Sequence, residues 1–560
     1  MKLKNIFAAI GLSAMMTSCG FLDVEPQVIC SDTFYNTQEE ALYGLAGVYG
    51  VMSNEAFYGN YYSLMCSNVD DLCYFNRSTT SNYTNMYKHD ASATEIYAAW
   101  TEMYKGIRNA NAFMEAIPNT AFDQDGKLYN EARFLRAYYH FLLAQAWGDV
   151  PMRKEAVTTH EEVMCAASPQ FEVLTWAADE MEACIELAGE DLGQAPSRIN
   201  KYIVHGILAR TYLFMAGETV KGGNKAEYYQ KAMQHAEAVI SSGKFQLNPE
   251  YSQVFINMIS DQYDREYNES MWEVDFLGHR ASAESWSNGR IGDLMGLQSS
   301  GASGYSSFLC NFAYGQYDGS LKLWDLYWTV DRTTDEASLP TVTDKRQEWN
   351  MPPYNYAGCT SSSLGLSIPA STAKAPYIYA GKTSFDDPVN AQAIRNCGKW
   401  RREVEYEQVM DSKRLYTGIN YPLLRYSDVL LMYAEASLEY SGAVSQEAYE
   451  CVKAVRDRAS VKTNEFSTYD VESFREFVRN ERGRELCFEG IRKYDLIRWG
   501  IFVEAMNGYV KAATDERWSG SAKASYAAAI GSSVQAKHIV LPVPAVELGV
   551  NNLLVQNPLW

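Results

Sequence analysis

The sequence predicts a helical protein whose helices come in pairs, and three observations carry that reading. Residues 96–117 hold Ile96, Trp100, Met103, Ile107, Ala110, Met114 and Ile117, spaced alternately by four and three, which is one continuous apolar helix face. Helices at about 199–217 and 225–242 are joined by a short Gly217–Asn224 connection, with small Ala209 and Ala232 where close helix packing needs them. A second run of helical periodicity occupies the C-terminal region. Antiparallel helix pairs with short links are the pattern of tetratricopeptide-type repeats, although no strict 34-residue repeat is present.

The elements follow in order. Pro118 ends the 96–117 helix. A helix over 128–147 follows, with Leu128, Leu135, Tyr138 and Leu142 among its apolar set; Gly148 sits at the C′ position and Pro151 shortly after. A further helix is expected at about 170–188, before the 199–242 pair. Towards the C-terminus, helices are expected at about 427–440, 445–459, 471–488 and 490–506. In the first of these, Val429, Met432, Tyr433, Ala436 and Tyr440 form one apolar face and Leu430, Ala434 and Leu438 another, so it is expected to be buried on most sides. Residues 271–420 differ. They hold six of the twelve tryptophans and ten tyrosines among 13 glycines, and neither helix nor strand periodicity persists. A long irregular segment rich in aromatics within a helical protein is where a binding surface is expected.

Composition narrows the function classes. The chain has 560 residues, 47% of them apolar, so burial is no obstacle to folding. Asp plus Glu is 69 against 49 for Lys plus Arg, a net charge of −20, which repels phosphate backbones and makes nucleic acid a poor partner. Lys2 and Lys4 precede an apolar run, Ile6 to Met16, too short to cross a bilayer. Met16-Thr17-Ser18-Cys19 then has the layout of a lipoprotein signal, residues 1–18, cleaved before an acylated Cys19. Cleavage removes two lysines, leaving 47 against 69, or −22. The other cysteines form no C-x-x-C and have no histidine pair nearby, so no metal site or redox motif is expected. Cys487, in an apolar helical context, is expected to be a free core thiol.

The chemical motifs are weak. Asp123-Gln124-Asp125-Gly126-Lys127 begins like a calcium loop, but its glycine is at position 4 and Phe134 stands where a bidentate glutamate is needed; a helix-entry turn is the expected role. His140, His205 and His235 fall inside helices and are expected to be packed. Asp70-Asp71 are adjacent carboxylates with no identifiable partner acid. The densest charge cluster is 480–500. Its Glu485, Glu489, Arg492, Asp495 and Arg498 would share one face if a helix continued through Gly490. A buried network locking two helices is the expected role, in preference to an acid–base site.

The segment 479–500, R-N-E-R-G-R-E-L-C-F-E-G-I-R-K-Y-D-L-I-R-W-G, resembles the signature of the SusD/RagB family. So do Tyr421-Pro422-Leu423-Leu424-Arg425-Tyr426 with its continuation to Ala436, and Val452 to Ala459. Cys19-Gly20-Phe21-Leu22-Asp23-Val24-Glu25-Pro26 looks like the family's lipidated start. Ala132 to Tyr139, ending Trp147-Gly148-Asp149-Val150-Pro151, is similar to its first long repeat helix. Leu541-Pro542-Val543-Pro544 and Gln556-Asn557-Pro558 are similar to its terminal segment. The resemblance implies an all-α fold of tetratricopeptide-like helix pairs, with loop-rich irregular segments forming a ligand and partner face. It also implies an N-terminal region 19–225 and a C-terminal region 265–560, the latter containing the variable segment 271–420, packed as one unit.

What the resemblance implies for function is a non-enzymatic, lipid-anchored protein on the outer face of the outer membrane, without a cofactor. It would bind a nutrient, most often a glycan, and deliver it to a SusC-like TonB-dependent transporter. Sugars present C–H faces that stack on aromatic rings, so the ligand residues are expected in the loop after the first helix and in the variable segment. They are Tyr74, Phe75, Asn76, Arg77 and Tyr83, then Trp286, Tyr305, Phe308 and Tyr317. Two other readings stay open at this point: a helical lid for a transporter of peptides or another nutrient, and a surface glycoside hydrolase.

Overall fold

The structure, a computed structural model, describes residues 35–77, 84–157, 159, 161–278, 287, 289–299, 311–328, 344–352, 354–355, 377–378, 395–405, 415–515, 518 and 522–560. Its first half is a series of α-helices: α1 (Gln38–Tyr49), α2 (Thr94–Ala116), α3 (Lys127–Trp147), α4 (Gln170–Glu182), α5 (Lys201–Met215), α6 (Lys225–Ser241) and α7 (Tyr251–Ile259). Short helices α8 (Ile291–Leu294), α9 (Leu321–Trp328) and α10 (Lys345–Asn350) follow. The C-terminal set is α11 (Tyr426–Ser441), α12 (Gln446–Arg458), α13 (Val471–Leu486), α14 (Arg492–Arg498), α15 (Phe502–Ala512), α16 (Ala522–Ser533) and α17 (Ala545–Val550).

Each helix packs on the next. α2 lies on α3, α3 on α4, α4 on α5 and α5 on α6; α6 then meets α11, which carries α12 and α13. This is the all-α, tetratricopeptide-like arrangement expected from the periodicity. The apolar face predicted for 96–117 is buried throughout, with Ile96, Trp100, Met103, Ile107, Ala110, Met114 and Ile117 all inside. One cluster of buried apolar side chains runs from Ala41 to Leu554 and joins the two halves. Each fully buried Leu, Ile or Phe in it stabilises the fold by about 1.5–3 kcal/mol.

Local chemistry sets the helix ends. Thr37 and Glu40 form a reciprocal capping box at the start of α1, and Asp470 and Ser473 do the same for α13. The calcium-like turn is a helix entry: the Asp123 carboxylate accepts the Leu128 and Tyr129 N–H groups at 2.8 and 2.7 Å, opening α3. Gly148, at φ +81°, closes that helix where a side chain would be strained. His140 is packed, as expected, its ring nitrogens engaged by the Arg136 carbonyl and the Arg153 N–H.

Among the described residues, nine short strands fill the gaps: β1 (Cys73–Phe75), β2 (Val150–Pro151), β3 (Ala167–Ser168), β4 (Ser270–Val274), β5 (Tyr317–Gly319), β6 (Tyr354–Asn355), β7 (Tyr377–Ile378), β8 (Arg395–Asn396) and β9 (Tyr421–Arg425). β1, β5 and β8 form one antiparallel sheet, with Phe75 opposite Tyr317 and Asp318 opposite Asn396. β4 pairs with β9, bringing the variable segment's start against its end.

No helix runs through Gly490, so the charged residues of 485–498 do not share one face; the two helices expected at 471–488 and 490–506 are separate. α13 stops at Leu486, Phe488 and Gly490 take φ of +66° and +72°, and α14 begins only at Arg492. A side chain at 490 would meet the Tyr421 hydroxyl at 2.5 Å, so glycine is required there. The turn sends Glu485 and Glu489 inward. Arg425 bonds Glu489 through two nitrogens at 2.8 Å and reaches Glu269 at 2.9 Å and Glu485 at 3.0 Å. Arg346 joins Asp344, Glu481 and Glu485, and Lys399 closes on Glu489 at 2.7 Å. A second knot ties Arg482 and Arg498 to Asp428, Glu435 and Asp495. The buried network is present, but it ties together strands, loops and several helices where a lock between two had been expected.

Candidate ligand-binding face

The β1–β5–β8 sheet is built around a buried carboxylate. Asp318 accepts Asn76 Nδ2 at 2.6 Å and Asn396 Nδ2 at 2.7 Å on one oxygen, and Lys523 Nζ at 2.6 Å on the other. Asn76 extends the pairing beyond β1: its backbone N–H reaches the Gln316 carbonyl at 2.8 Å and its side chain the Gly315 carbonyl at 2.9 Å. Arg77 then donates to the Tyr314 carbonyl at 2.5 Å.

Three described stretches meet along residues 311–319. Arg77 reaches the Tyr314 carbonyl, Ser299 pairs with Ala313, and the Asp293 and Leu294 carbonyls of α8 accept the Gly315 and Gln316 N–H groups at 3.1 and 2.6 Å. Tyr83, Trp286, Tyr305 and Phe308, like Cys19, lie outside the described residues.

The other expected ligand residues need correction. Tyr74, Phe75, Asn76 and Tyr317 are all at most 2% exposed. The Tyr74 ring stands edge-on to Trp518 at 5.3 Å, and Phe75 to Tyr317 at 5.7 Å. A ring enclosed in this way has no face to offer a ligand; these residues hold the β1–β5–β8 sheet together. Arg77 alone of the described set is half-buried at the surface. The tryptophan excess is also partly core, since Trp272, Trp324 and Trp400 are buried.

What sequence reasoning missed lies beside them. Along 311–317 burial alternates: Asn311, Ala313, Gly315 and Tyr317 point inward, while Phe312, Tyr314 and Gln316 point outward. Phe312 and Tyr314 form an edge-to-face pair at 4.8 Å, and Tyr314 is 39% exposed. Period-two alternation around Tyr317 was the available signal, overlooked because it persists for only seven residues. On the far side of α8, Arg290 bonds both Asp293 and Glu55 at 2.7 and 3.3 Å. Half-buried Tyr61 and Tyr416 flank Glu55; the nearby carboxylate and partial burial raise both phenols above their ordinary pKa. The face therefore combines an edge-on aromatic pair and two half-buried tyrosines with a guanidinium and a carboxylate. That chemistry suits a polyhydroxylated ligand with C–H faces.

Asp70 and Asp71 are elsewhere and buried. Arg492 at 2.8 Å and Lys322 at 2.5 Å hold the Asp71 carboxyl down to about 2. Burial and the neighbouring Asp71 charge push Asp70 up to about 8, while its carboxylate caps the Leu72 and Cys73 N–H groups. Among the described residues no cluster of three His, Cys, Asp or Glu is placed to hold a metal, and the seven described cysteines, Cys487 included, are free thiols.

Residues 268–560, just over half of the chain, match the SusD family. The chain belongs to the SusD family. Residues 20–213 additionally match a family described as starch-binding associating with outer membrane. A SusD-like protein of Formosa agariphila is 24% identical over 579 aligned residues, covering 100% of this SusD-family chain and 98% of the relative. A SusD homologue from Bacteroides thetaiotaomicron superposes with a TM-score of 0.80 at 25% identity, over 95% of this chain and 98% of that one. The fold is shared with surface glycan-binding protein A from Bacteroides uniformis (TM-score 0.66, 20% identity, 94% and 100% covered). It is shared also with a laminarin-binding SusD-like protein (0.64, 18%, 94% and 100%). These SusD-family neighbours are described as binding proteins. No helix among the described residues is long and apolar enough to cross a membrane.

Proposed function

We propose that this protein is a cell-surface glycan-binding lipoprotein that captures oligosaccharide and passes it to a SusC-like TonB-dependent transporter. The observation that carries the reading is the outward-facing aromatic pair Phe312 and Tyr314, on a stretch where Arg77, Ser299 and α8 meet. Binding by stacking and hydrogen bonding, without turnover, is the chemistry such a face supports. Family membership, and glycan binding by proteins of the same fold, support it. Acylated Cys19 would hold the protein at the outer membrane.

Affinity electrophoresis of the purified protein through gels containing individual polysaccharides, laminarin among them, tests the ligand. Retardation in at least one gel, lost in Tyr314→Ala and Trp286→Ala variants with unchanged melting curves, is the expected result. Release of free sugar, or binding indifferent to both substitutions, would overturn it. In the native host, Cys19→Ser is expected to move the protein out of the membrane fraction.

A further inference from the structure

On the far side of α8 the glycan face ends in a carboxylate that is loosely held. The line of contacts begins at Tyr314, whose backbone N–H donates to Asp293 Oδ1 at 3.2 Å. Arg290 holds the other Asp293 oxygen through Nη2 at 2.7 Å and Nε at 3.2 Å, and its Nη1 reaches Glu55 Oε1 at 3.3 Å. Asn60 Nδ2 donates to that same oxygen at 3.3 Å, and the Tyr416 hydroxyl to Oε2 at 3.4 Å. A carboxylate has about four acceptor positions, and charge-assisted bonds to it close to about 2.7–2.9 Å. None of the three contacts to Glu55 is that short, and 22% of its side chain is exposed, whereas Asp293 is fully buried and tightly engaged. Glu55 is therefore an acceptor with capacity to spare at the surface.

The backbone fixes where this carboxylate stands. Glu55 opens a π-helical turn, Glu55–Gly59, followed after Asn60 by a second, Tyr61–Cys66; such turns are rare and recur at functional sites. Asn54 Oδ1 accepts the Ala56 N–H at 2.8 Å, and the Gly59 carbonyl accepts the Arg290 N–H at 2.9 Å, which pins the first turn to the start of α8. Tyr416 is placed by the neighbouring Thr417 N–H, which donates to the Gly289 carbonyl at 2.7 Å. The charges on this face balance. Its two guanidinium groups, Arg77 and Arg290, are matched by Asp293 and Glu55, and Glu95 adds a negative charge near Tyr61. The whole chain carries −20, so among the described residues an anionic ligand finds no surplus cation here.

We propose that Glu55 is a specificity residue of this face, accepting hydroxyl groups of the bound glycan and repelling glycans that carry uronate or sulfate there; this rests on the glycan-binding reading above. A hydroxyl brought to Glu55 makes a charge-assisted hydrogen bond, stronger than a neutral one. A sulfate or uronate in the same position meets a like charge that Arg290 does not offset, because its guanidinium is already taken by Asp293 at 2.7 Å. Screening confines the repulsion to about 8 Å at physiological salt, so it acts on groups seated on the face and not on charges elsewhere along the polymer.

Affinity electrophoresis through matched gels tests this: laminarin, dextran and galactomannan, each native and after chemical sulfation, together with polygalacturonate. The full chain should be retarded by at least one native gel, equally at low and high salt, and neither by the sulfated form of that polysaccharide nor by polygalacturonate. Glu55→Gln, with an unchanged melting curve, should bind the native polysaccharide about tenfold more weakly. Glu55→Lys, folded by the same criterion, should gain retardation by the sulfated form at low salt and lose it at high salt. Retardation of the unsubstituted protein by an anionic gel as strong as by any native one would overturn the role of Glu55. So would native-gel affinity unchanged in Glu55→Gln, or a folded Glu55→Lys that ignores the sulfated form. Glycan binding itself would stand in each of those cases. If no gel of either kind retards the unsubstituted protein, the glycan reading fails, and the role of Glu55 with it.

Discussion

Tyr74 in β1 and Tyr314 just ahead of β5 share a residue type, yet they do opposite things. Tyr74 is enclosed; its removal leaves a cavity against Trp518, so Tyr74→Ala is expected to cost about 3–5 kcal/mol in denaturant unfolding. Tyr314→Ala should change stability by less than about 0.5 kcal/mol while weakening polysaccharide retention. Composition could point to this region but not to this pair, because aromatic counting weighs a core ring and a surface ring alike. Glu273 carries a second expectation. Burial in β4 pushes its carboxyl up to about 7 from 4.5, with Asn420 donating at 3.0 Å. The folded state therefore holds a proton that the unfolded chain releases, and stability falls as pH rises from about 4.5 to about 7. Glu273→Gln should remove that loss, stabilising the protein by up to about 3 kcal/mol at pH 8 and by much less at pH 5, measured by urea titration at both.

At the level of elements, the helices were the legible part. Periodicity placed α2, α3, α5, α6, α11 and α12 within a few residues of where they lie, since each buries a continuous apolar face. The break expected between 488 and 490 is present but wider, and the helix expected over 490–506 is two, α14 and α15; the form of the break is set by contacts from distant strands. Helix propensity does not register that the Glu489 carboxylate is captured by Arg425 and that residue 490 abuts Tyr421. Gly490→Ala isolates this point. With φ at +72° and a Cβ only 2.5 Å from the Tyr421 hydroxyl, the variant should lose on the order of 1–3 kcal/mol, read as a lower melting temperature. Strands of two or three residues, such as β1 and β8, gave no periodic signal of their own, and the alternation leading into β5 lasts only seven residues. The ligand face grows from those strands, which is why it was the least legible element.

For the whole molecule, ordered motif matches from residue 19 to 560 carried the family, and the shared profile and fold agree with them. The ion-pair network sets the acid limit of the molecule. Its arginines hold the Glu481 and Glu435 carboxyls down to about 2, below their ordinary 4.5. Both groups contribute stability above about pH 4.5 that is lost as pH falls towards 2, where protonation leaves buried guanidinium groups unpaired. A melting temperature that falls between pH 5 and pH 2.5 is expected, and Glu481→Gln should flatten that fall.

The same network bears on how the chain reaches its native state. Arg492 closes on Asp71 across 421 residues, Arg425 on Glu269 across 156, and Arg498 on Glu435 across 63. Contacts this distant in sequence slow folding. Until β9 and α12 have emerged Glu269 lacks Arg425 and Arg458, and until α14 has emerged Asp71 lacks Arg492; burying these carboxylates without them is costly. Closure of the network therefore waits on the stretch from β9 to α14.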